Sequence, residues 1–303
     1  MRLIDISAEE YADIYGSAMP VFGTAAYCRM HRDKVDEVIF VSMVDTKGRH
    51  RLGGAFGVSG DIVSMPWRAP FGVIVHIGEH APKLEVALAF VRAIRERFAG
   101  KSMRITLPPR YFDAETHLRL VAAMQSEGGR IVNEIDYYWP QVPRLLDCWE
   151  SNAVTRLNRS KRHNLSFVPC ELERAYAVIA DNRRERGYPL AMSLDDMKEM
   201  RRLVTIDAYV VEGDGADMAA AISYRMGDVA YLVYWGSREA YGDCCPMHFM
   251  ALEFYNRCMS EGFKIVDIGT ASTDGVLNVG LASFKESIGC SIELKPTIIF
   301  DKN

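Results

Sequence analysis

Lys285 and Asp267 are the ionisable side chains whose setting points most directly to chemistry. The stretch TDGVLNVGLASFKESIG, Thr273 to Gly289, reads as an amphipathic helix. Leu277, Leu281, Phe284 and Ile288 recur at i, i+4, i+7 and i+11 and form one apolar stripe. Asp274 is placed to cap the start of this helix and Gly289 its end. Asn278 and Lys285, seven positions apart, share an edge beside the stripe. Gly280 inside a helix costs about 1 kcal/mol relative to alanine, which predicts close approach by another backbone or a ligand. A lysine at the edge of a cleft is a point positive charge for a phosphate, a carboxylate or a developing oxyanion. A lysine in the same position also snorkels to solvent on many amphipathic helices, with no such role.

Upstream, KIVDIGTAS reads as a strand ending in Asp267, Gly269 and small hydroxyl residues. Ligands collect beyond the C-terminal ends of strands in open sheets. Asp267 is there a candidate general base or orienting group. The alternative is a turn aspartate that caps local backbone. Tyr234 and Trp235, at the end of VAYLVYWGS, are candidates to line the same cleft or to fill the core. Cys244 and Cys245 precede Pro246, which suits a first helical position. A thiol there is either activated by the helix or buried and inert. Cys245 and His248 have the spacing of half a zinc site, but no second pair matches it, so no metal is expected.

Three further stretches carry binding chemistry. RLNRSKRHN holds Arg156, Arg159, Lys161, Arg162 and His163, the most basic patch of the chain. With NRRERG it suits an anionic cofactor, a nucleotide sugar or an RNA backbone, or else it is a solvated connecting helix. MPWRAPFG sets Trp67, Arg68, Phe71 and Gly72 in a proline-stiffened loop, fit either to recognise a sugar or peptide or to make a structural turn.

The elements that must position these residues repeat. In the first half, helix SAEEYADIYGSA precedes strands DEVIFVSMVD and RLGGAFGVSGDIVSMPW, helix PKLEVALAFVRAIRERFAG, strand SMRITLPP, helix DAETHLRLVAAMQSEGG and strand RIVNEIDYYWPQVP. In the second, helices AYAVIADNRRERGYP and SLDDMKEMRRLV precede a three-strand meander, helix PMHFMALEFYNRCMSEG, strand FKIVDIGTA, a helix through Lys285 and strand CSIELKPTIIF. Gly100 and Gly128 lie 28 positions apart, Gly262 and Gly289 27, and each pair closes corresponding helices. The sequence predicts a duplication: an N-terminal half at 1–143, a basic connecting segment at 144–166 and a C-terminal half at 167–303.

Bulk properties narrow the classes. The chain has 303 residues, 49% hydrophobic and 25% charged, with a formal net charge of -4. This composition builds an ample core and disfavours a DNA-binding protein that uses its whole surface. Seven cysteines without a framework spacing predict free thiols and a cytoplasmic setting. No apolar run reaches 18 residues, so no membrane insertion is expected. Oligomeric state is not readable.

The element order resembles that of the GNAT acyltransferase fold used twice, and the chain resembles tandem-GNAT proteins of the Fem type. These are peptidyltransferases that add amino acids to cell-wall precursors, with acetyltransferase-like relatives. The resemblance is carried by KIVDIGTASTDGVLNVGLASFKESIGC, and less by MPWRAPFG and NRRERGYPLAMS. It implies two α+β domains, each a mixed, mostly antiparallel sheet flanked by helices, with the second half active and the first a degenerate copy that shapes the acceptor cleft. It implies acyl or aminoacyl transfer to an amine of a small molecule or a cell-envelope sugar or peptide precursor. Lys285, in the Phe-Lys pair, would then act at the transfer site. By the same analogy Arg183, Arg186 and Tyr188 are candidate acceptor contacts, and Arg238 and Gly242 belong to the candidate phosphate loop; Arg159 and Arg162 of the basic patch are further candidates to hold the cofactor. That turn, REAYGD, lacks the second glycine of the family signature and carries Asp243, which would repel phosphate. The resemblance leaves acyl-coenzyme A and aminoacyl-tRNA open as donors. A non-catalytic ligand-binding protein on this scaffold is the alternative.

Overall fold

The structure, a computed structural model, describes residues 1–16 and 20–302. In chain order its first elements are β1 (Arg2–Ile6), α1 (Ala8–Tyr15), α2 (Ala25–Met30), β2 (Glu37–Val44), β3 (His50–Ser59), β4 (Ile62–Met65), β5 (Ile74–His76), α3 (Leu84–Arg97), β6 (Ser102–Thr106), α4 (Ala114–Ser126) and β7 (Arg130–Pro140). There follow α5 (Ser151–Ser160), β8 (Ser166–Pro169), α6 (Leu172–Arg186), α7 (Leu194–Met200), β9 (Ile206–Gly213), β10 (Ala216–Met226), β11 (Val229–Ser237) and α8 (Pro246–Ser260). The chain ends with β12 (Ile265–Thr270), β13 (Ser272–Thr273), β14 (Val276–Leu277), α9 (Val279–Ser287) and β15 (Ser291–Phe300). Ser17 and Ala18, expected at the end of the first helix, lie outside the described residues.

These elements form two compact units, Met1–Ile135 with Asp274–Val276 and Glu293–Asn303, and Asp136–Thr273 with Leu277–Ile292. In the first, the strand order is β1-β2-β3-β4-β6-β15, with β5 on β3. All neighbours are antiparallel except β4 and β6. Its core lies between that sheet and helices α3 and α4, around Val41, Phe56, Phe90, Ile94 and Ile105. In the second unit, residues 136–140 of β7 lead the order β7-β12-β11-β10-β9-β8, with β11 and β12 the parallel pair. Each unit is thus a mostly antiparallel sheet flanked by helices, with one parallel pair where a helix crosses over. The helix-ending glycines Gly100, Gly128, Gly262 and Gly289 all have positive φ, as the sequence predicts.

The final strands are exchanged. β15, which closes the second half of the chain, pairs with β6, Thr297 opposite Thr106. The last residues of β7, which closes the first half, pair with β12, Trp139 opposite Val266. Among the described residues no helix is long and apolar enough to cross a membrane.

One helix differs from its expected extent. Helix α9 begins at Val279, not at Asp274, and Asn278 is its N-cap, accepting a hydrogen bond from Leu281 N. Asp274 and Gly275 both have positive φ in a turn between β13 and β14, and Asp274 pairs with Arg104. The sequence TDG favours that turn over a helical start, because Gly275 supplies the left-handed conformation at no steric cost. Leu277 therefore leaves the apolar stripe and is exposed, while Leu281, Phe284 and Ile288 keep it. A Cβ at Gly280 would meet nothing closer than Asn278 Oδ1 at 3.8 Å, so no backbone approaches there.

Candidate functional site

The second unit is built around the place where β11 and β12 part. They pair in parallel over three residues each, ending at Tyr231 opposite Asp267. Beyond that point β11 changes register against β10, because Val233 is an extra residue between the pairs Ser223–Leu232 and Ile222–Tyr234. A bulge bends its strand and re-aims the residues beyond it. On the other side β12 loses register with β7 between Asp267 and Thr270. Gly269 there has φ of 76°. Two strands that separate at their C-terminal ends leave backbone groups in a wedge that a sheet ladder would otherwise occupy, the usual location of ligands in such sheets.

Asp267 and Lys285 hold the end of β12. Asp267, 1% exposed, accepts a hydrogen bond from Gly269 N at 2.7 Å through Oδ1. Lys285, also 1% exposed, donates from Nζ to the carbonyls of Ile268 (2.8 Å), Gly269 (2.7 Å) and Thr270 (3.0 Å). Three bonds match the three donors of an ammonium group. The carbonyls it serves are those where the ladder with β7 is irregular, so the lysine supplies what the missing strand pairing would. Nζ also lies 5.4 Å from the centre of the Tyr137 ring. Tyr137 in turn donates to Glu286 Oε1, and burial, followed by that carboxylate, pushes its phenol up to about 12. Lys285 is thus neither a solvent-facing lysine nor one at a cleft edge; it is sealed against backbone.

Side chains on the parted segment of β11 alternate between the two faces. Tyr234 faces α6. The Arg183 guanidinium lies 5.7 Å from the centre of its ring, and the Tyr234 hydroxyl accepts from Met192 N at 3.1 Å. Tyr176 donates to Met192 O at 2.9 Å, so two tyrosines tie down the segment that follows the left-handed cap Gly187. Helix α6 comes close because position 236 lacks a side chain. A Cβ on Gly236 would lie 2.4 Å from Asn182 Oδ1, and Asn182 donates to Ser237 O at 2.7 Å. Among the described residues Arg183 makes no ion pair, its Nε is buried without a hydrogen-bond partner, and burial lowers its pKa. A half-buried guanidinium left unpaired is an anion site in waiting. Arg186 and Tyr188 are exposed beside it in sequence.

Trp235 points to the other face, edge-on to Trp139 at 6.2 Å and tilted against Phe284 at 5.8 Å. The cluster continues through Phe284 to His248 and from His248 to Trp149. Tyr234 and Trp235 therefore do not line one cleft together. His248 sits in the first turn of α8, 5% exposed, and among the described residues its Nδ1 and the Trp149 Nε1 are buried with no hydrogen-bond partner. Burial, and then the Arg156 charge, push His248 down to about 4.

The turn before α8 is less open to an anion than its sequence position suggests. Arg238 is spent on Asp181 (2.8 Å) and on Asp217 O. Arg159 reaches Asp243 at 3.2 Å. Gly242 has open space around it, and Arg162 is exposed. Cys245 takes φ of 50° as the N-cap residue of α8, with Pro246 following at the helix start.

The candidates of MPWRAPFG belong to the first unit. Phe71 is fully buried between Phe22 and Phe112, a core residue rather than a displayed one. Trp67 donates from Nε1 to His31 O and covers Gly57, while Arg68 is exposed and its carbonyl accepts from Tyr27. Sequence reasoning missed Tyr137, Trp139, Tyr176, Asn182 and Trp149. Asp267 and Lys285 were legible, but the partners that surround them come from distant strands.

Residues 157–284 match the family of the acetyltransferase (GNAT) domain. That match covers less than half of the chain and lies within its second half. No curated protein matches its sequence. Among solved structures, FemX is similar at 10% identity, covering 98% of this chain and 97% of that one, with a TM-score of 0.68. The C-terminal domain of a putative lysylphosphatidylglycerol synthetase from Agrobacterium fabrum aligns at 12% identity, 97% and 93% coverage and a TM-score of 0.60. A tandem GNAT protein from the clavulanic acid biosynthesis pathway aligns at 9% identity, 99% and 98% coverage and a TM-score of 0.53. At these identities the likeness is one of fold, and the fold is that of tandem GNAT proteins.

Proposed function

We propose that this protein transfers an acyl group to the amine of an acceptor that also carries an anionic group. The parting of β11 from β12 after Tyr231 and Asp267, inside the stretch matching the acetyltransferase domain, is the observation that carries the reading. In the wedge the acyl carbonyl meets unladdered backbone, and the amine nitrogen attacks it. A C–N bond forms, the bond to the donor's sulfur or oxygen breaks, and the amine proton leaves with the donor group or with solvent. Catalysis then rests on positioning and on backbone dipoles that need no reorganisation. Lys285 and Asp267 serve as positioning residues that set the backbone at 267–270; neither needs to touch the reacting atoms.

Arg183 is the acceptor contact we favour, with Tyr234 beneath it and Arg186 and Tyr188 beside it. An unpaired guanidinium selects a carboxylate or phosphate, groups that amino acids, peptides and cell-envelope precursors all bear. Acyl-coenzyme A is the donor that the domain match favours. Aminoacyl-tRNA is the second reading, favoured by the exposed arginines of α5 and by likeness to the domain of a putative lysylphosphatidylglycerol synthetase. The test is acyl transfer from acetyl-coenzyme A and from charged tRNA to amines with and without a carboxylate or phosphate. Arg183→Met should raise KM for the acidic acceptors by about tenfold, the loss of one charge-assisted hydrogen bond, and leave neutral amines alone. No turnover and no rise in unfolding temperature with either donor would end the transferase reading; an unchanged KM would remove Arg183 from it.

A further inference from the structure

The first unit holds a cavity of its own, about 520 Å³, lined by residues of β5, the loop after it, the end of β6 and the start of α4. It lies where β6 ends, on the same kind of strand terminus that draws ligands in open sheets. Its lining contains three carboxylates (Glu79, Asp113, Glu115) and three histidines (His76, His80, His117), with no lysine or arginine among the described residues. The arginines nearby do not line it, although Arg119 offsets the charge of Glu115. Arg119 donates to the carbonyls of Ala81 and Pro82 and to Glu115, and Arg110 pairs with Glu293. The lining therefore offers carboxylate and imidazole acceptors and no guanidinium or ammonium donor, unlike the site at Arg183.

His117 gives the cavity its polar contact. The ring is 7% exposed, and Nδ1 lies 2.8 Å from Pro108 O, a bond in which Nδ1–H must be the donor. A neutral imidazole with its proton on Nδ1 has a lone pair on Nε2. Burial lowers the His117 pKa, which keeps that lone pair available. Nε2 has no hydrogen-bond partner among the described residues, although the ring lines the cavity. Asp113 stands beside it, with Oδ1 accepting from Thr116 N and Oδ2 lying 3.3 Å from His76 Nε2. Glu79 is exposed at the rim, with no ion pair among the described residues. Val73, Val75, Leu107 and Phe112 supply apolar walls.

We infer that this cavity is a binding site for a small organic amine. Its ammonium N–H donates to His117 Nε2 within reach of the Asp113 and Glu79 carboxylates, and its aliphatic body lies against Val75 and Leu107. The site is separate from the transfer site of the second unit and stands whether or not the protein transfers acyl groups.

Methyl-labelled full-length protein titrated with butylamine, 1-butanol and sodium butyrate at matched ionic strength tests it. Butylammonium should saturably shift the methyl resonances of Val73, Val75 and Leu107, the alcohol should bind about tenfold more weakly for want of a charged donor, and butyrate should not bind. His117→Phe and Glu79→Lys should each weaken the amine, His117→Phe by about tenfold, whereas Arg183→Met should not. Glu79 is exposed, so its variant keeps the test alive if His117→Phe does not fold. The inference is overturned if butyrate or butanol binds as tightly as the amine, if the amine shifts only methyls of the second unit, or if Glu79→Lys binds it like the parent.

Discussion

Replacing Lys285 by methionine separates a lysine that positions backbone from one that acts on a substrate. Methionine keeps most of the buried stem and removes the ammonium. The carbonyls of Ile268, Gly269 and Thr270 then lose their shared donor at a side chain that is 1% exposed. A buried acceptor left without a partner costs roughly 1–3 kcal/mol, and these three sit in one turn where one relaxation can serve more than one of them. With relaxation sharing the loss among them, the total falls at roughly 3–5 kcal/mol. For a chain of this size that lowers the unfolding midpoint on the order of 10 °C. Lys285→Arg should not restore it, because a planar fork cannot point at three carbonyls converging on one nitrogen. The assay is paired: thermal or urea unfolding of both variants, with acyl transfer from acetyl-coenzyme A measured on the folded fraction. A midpoint within about 1–2 °C of the parent, by the same scaling, together with lost transfer, would refute the positioning role and return Lys285 to the reacting atoms.

Two further predictions concern the support of the site. Gly236→Ala brings a Cβ to 2.4 Å from the tethered Asn182 amide, so α6 must shift; overpacking of this kind should cost about 1–3 kcal/mol in urea denaturation. His248 is held neutral, pushed down to about 4, whereas unfolded histidine titrates near 6.5. Between those values the unfolded chain takes up a proton that the folded chain refuses. Its contribution is therefore complete above about pH 6.5 and is lost as pH falls toward 4, by about 3 kcal/mol at most. His248→Phe should flatten that part of the stability–pH curve; an unchanged slope would place the titration elsewhere.

Much of this protein was legible in its sequence because the signals are local. Period-3.6 and period-2 patterns mark nearly every large helix and strand, and the glycines that close α3, α4, α8 and α9 adopt the left-handed conformation their positions imply. The repeated order of elements, and with it the tandem fold, comes from the same patterns. Lys285, Asp267, Arg183 and Tyr234 were recognisable as residues of interest, since a charge beside an apolar stripe or an aromatic before a turn is visible in one dimension.

The roles of those residues were decided in three dimensions. Asn278 could be read as a helix-face residue until the TDG turn made it a cap, and Trp235 shares a strand with Tyr234 yet faces away from it. Lys285 is recruited by a register break between β12 and β7, and a register break leaves no mark in the hydrophobic pattern. The exchange of β7 and β15 between the halves of the chain is hidden for the same reason. Strands join through backbone hydrogen bonds that every residue except proline can make, so side-chain sequence states that a strand exists and not which edge it will complete.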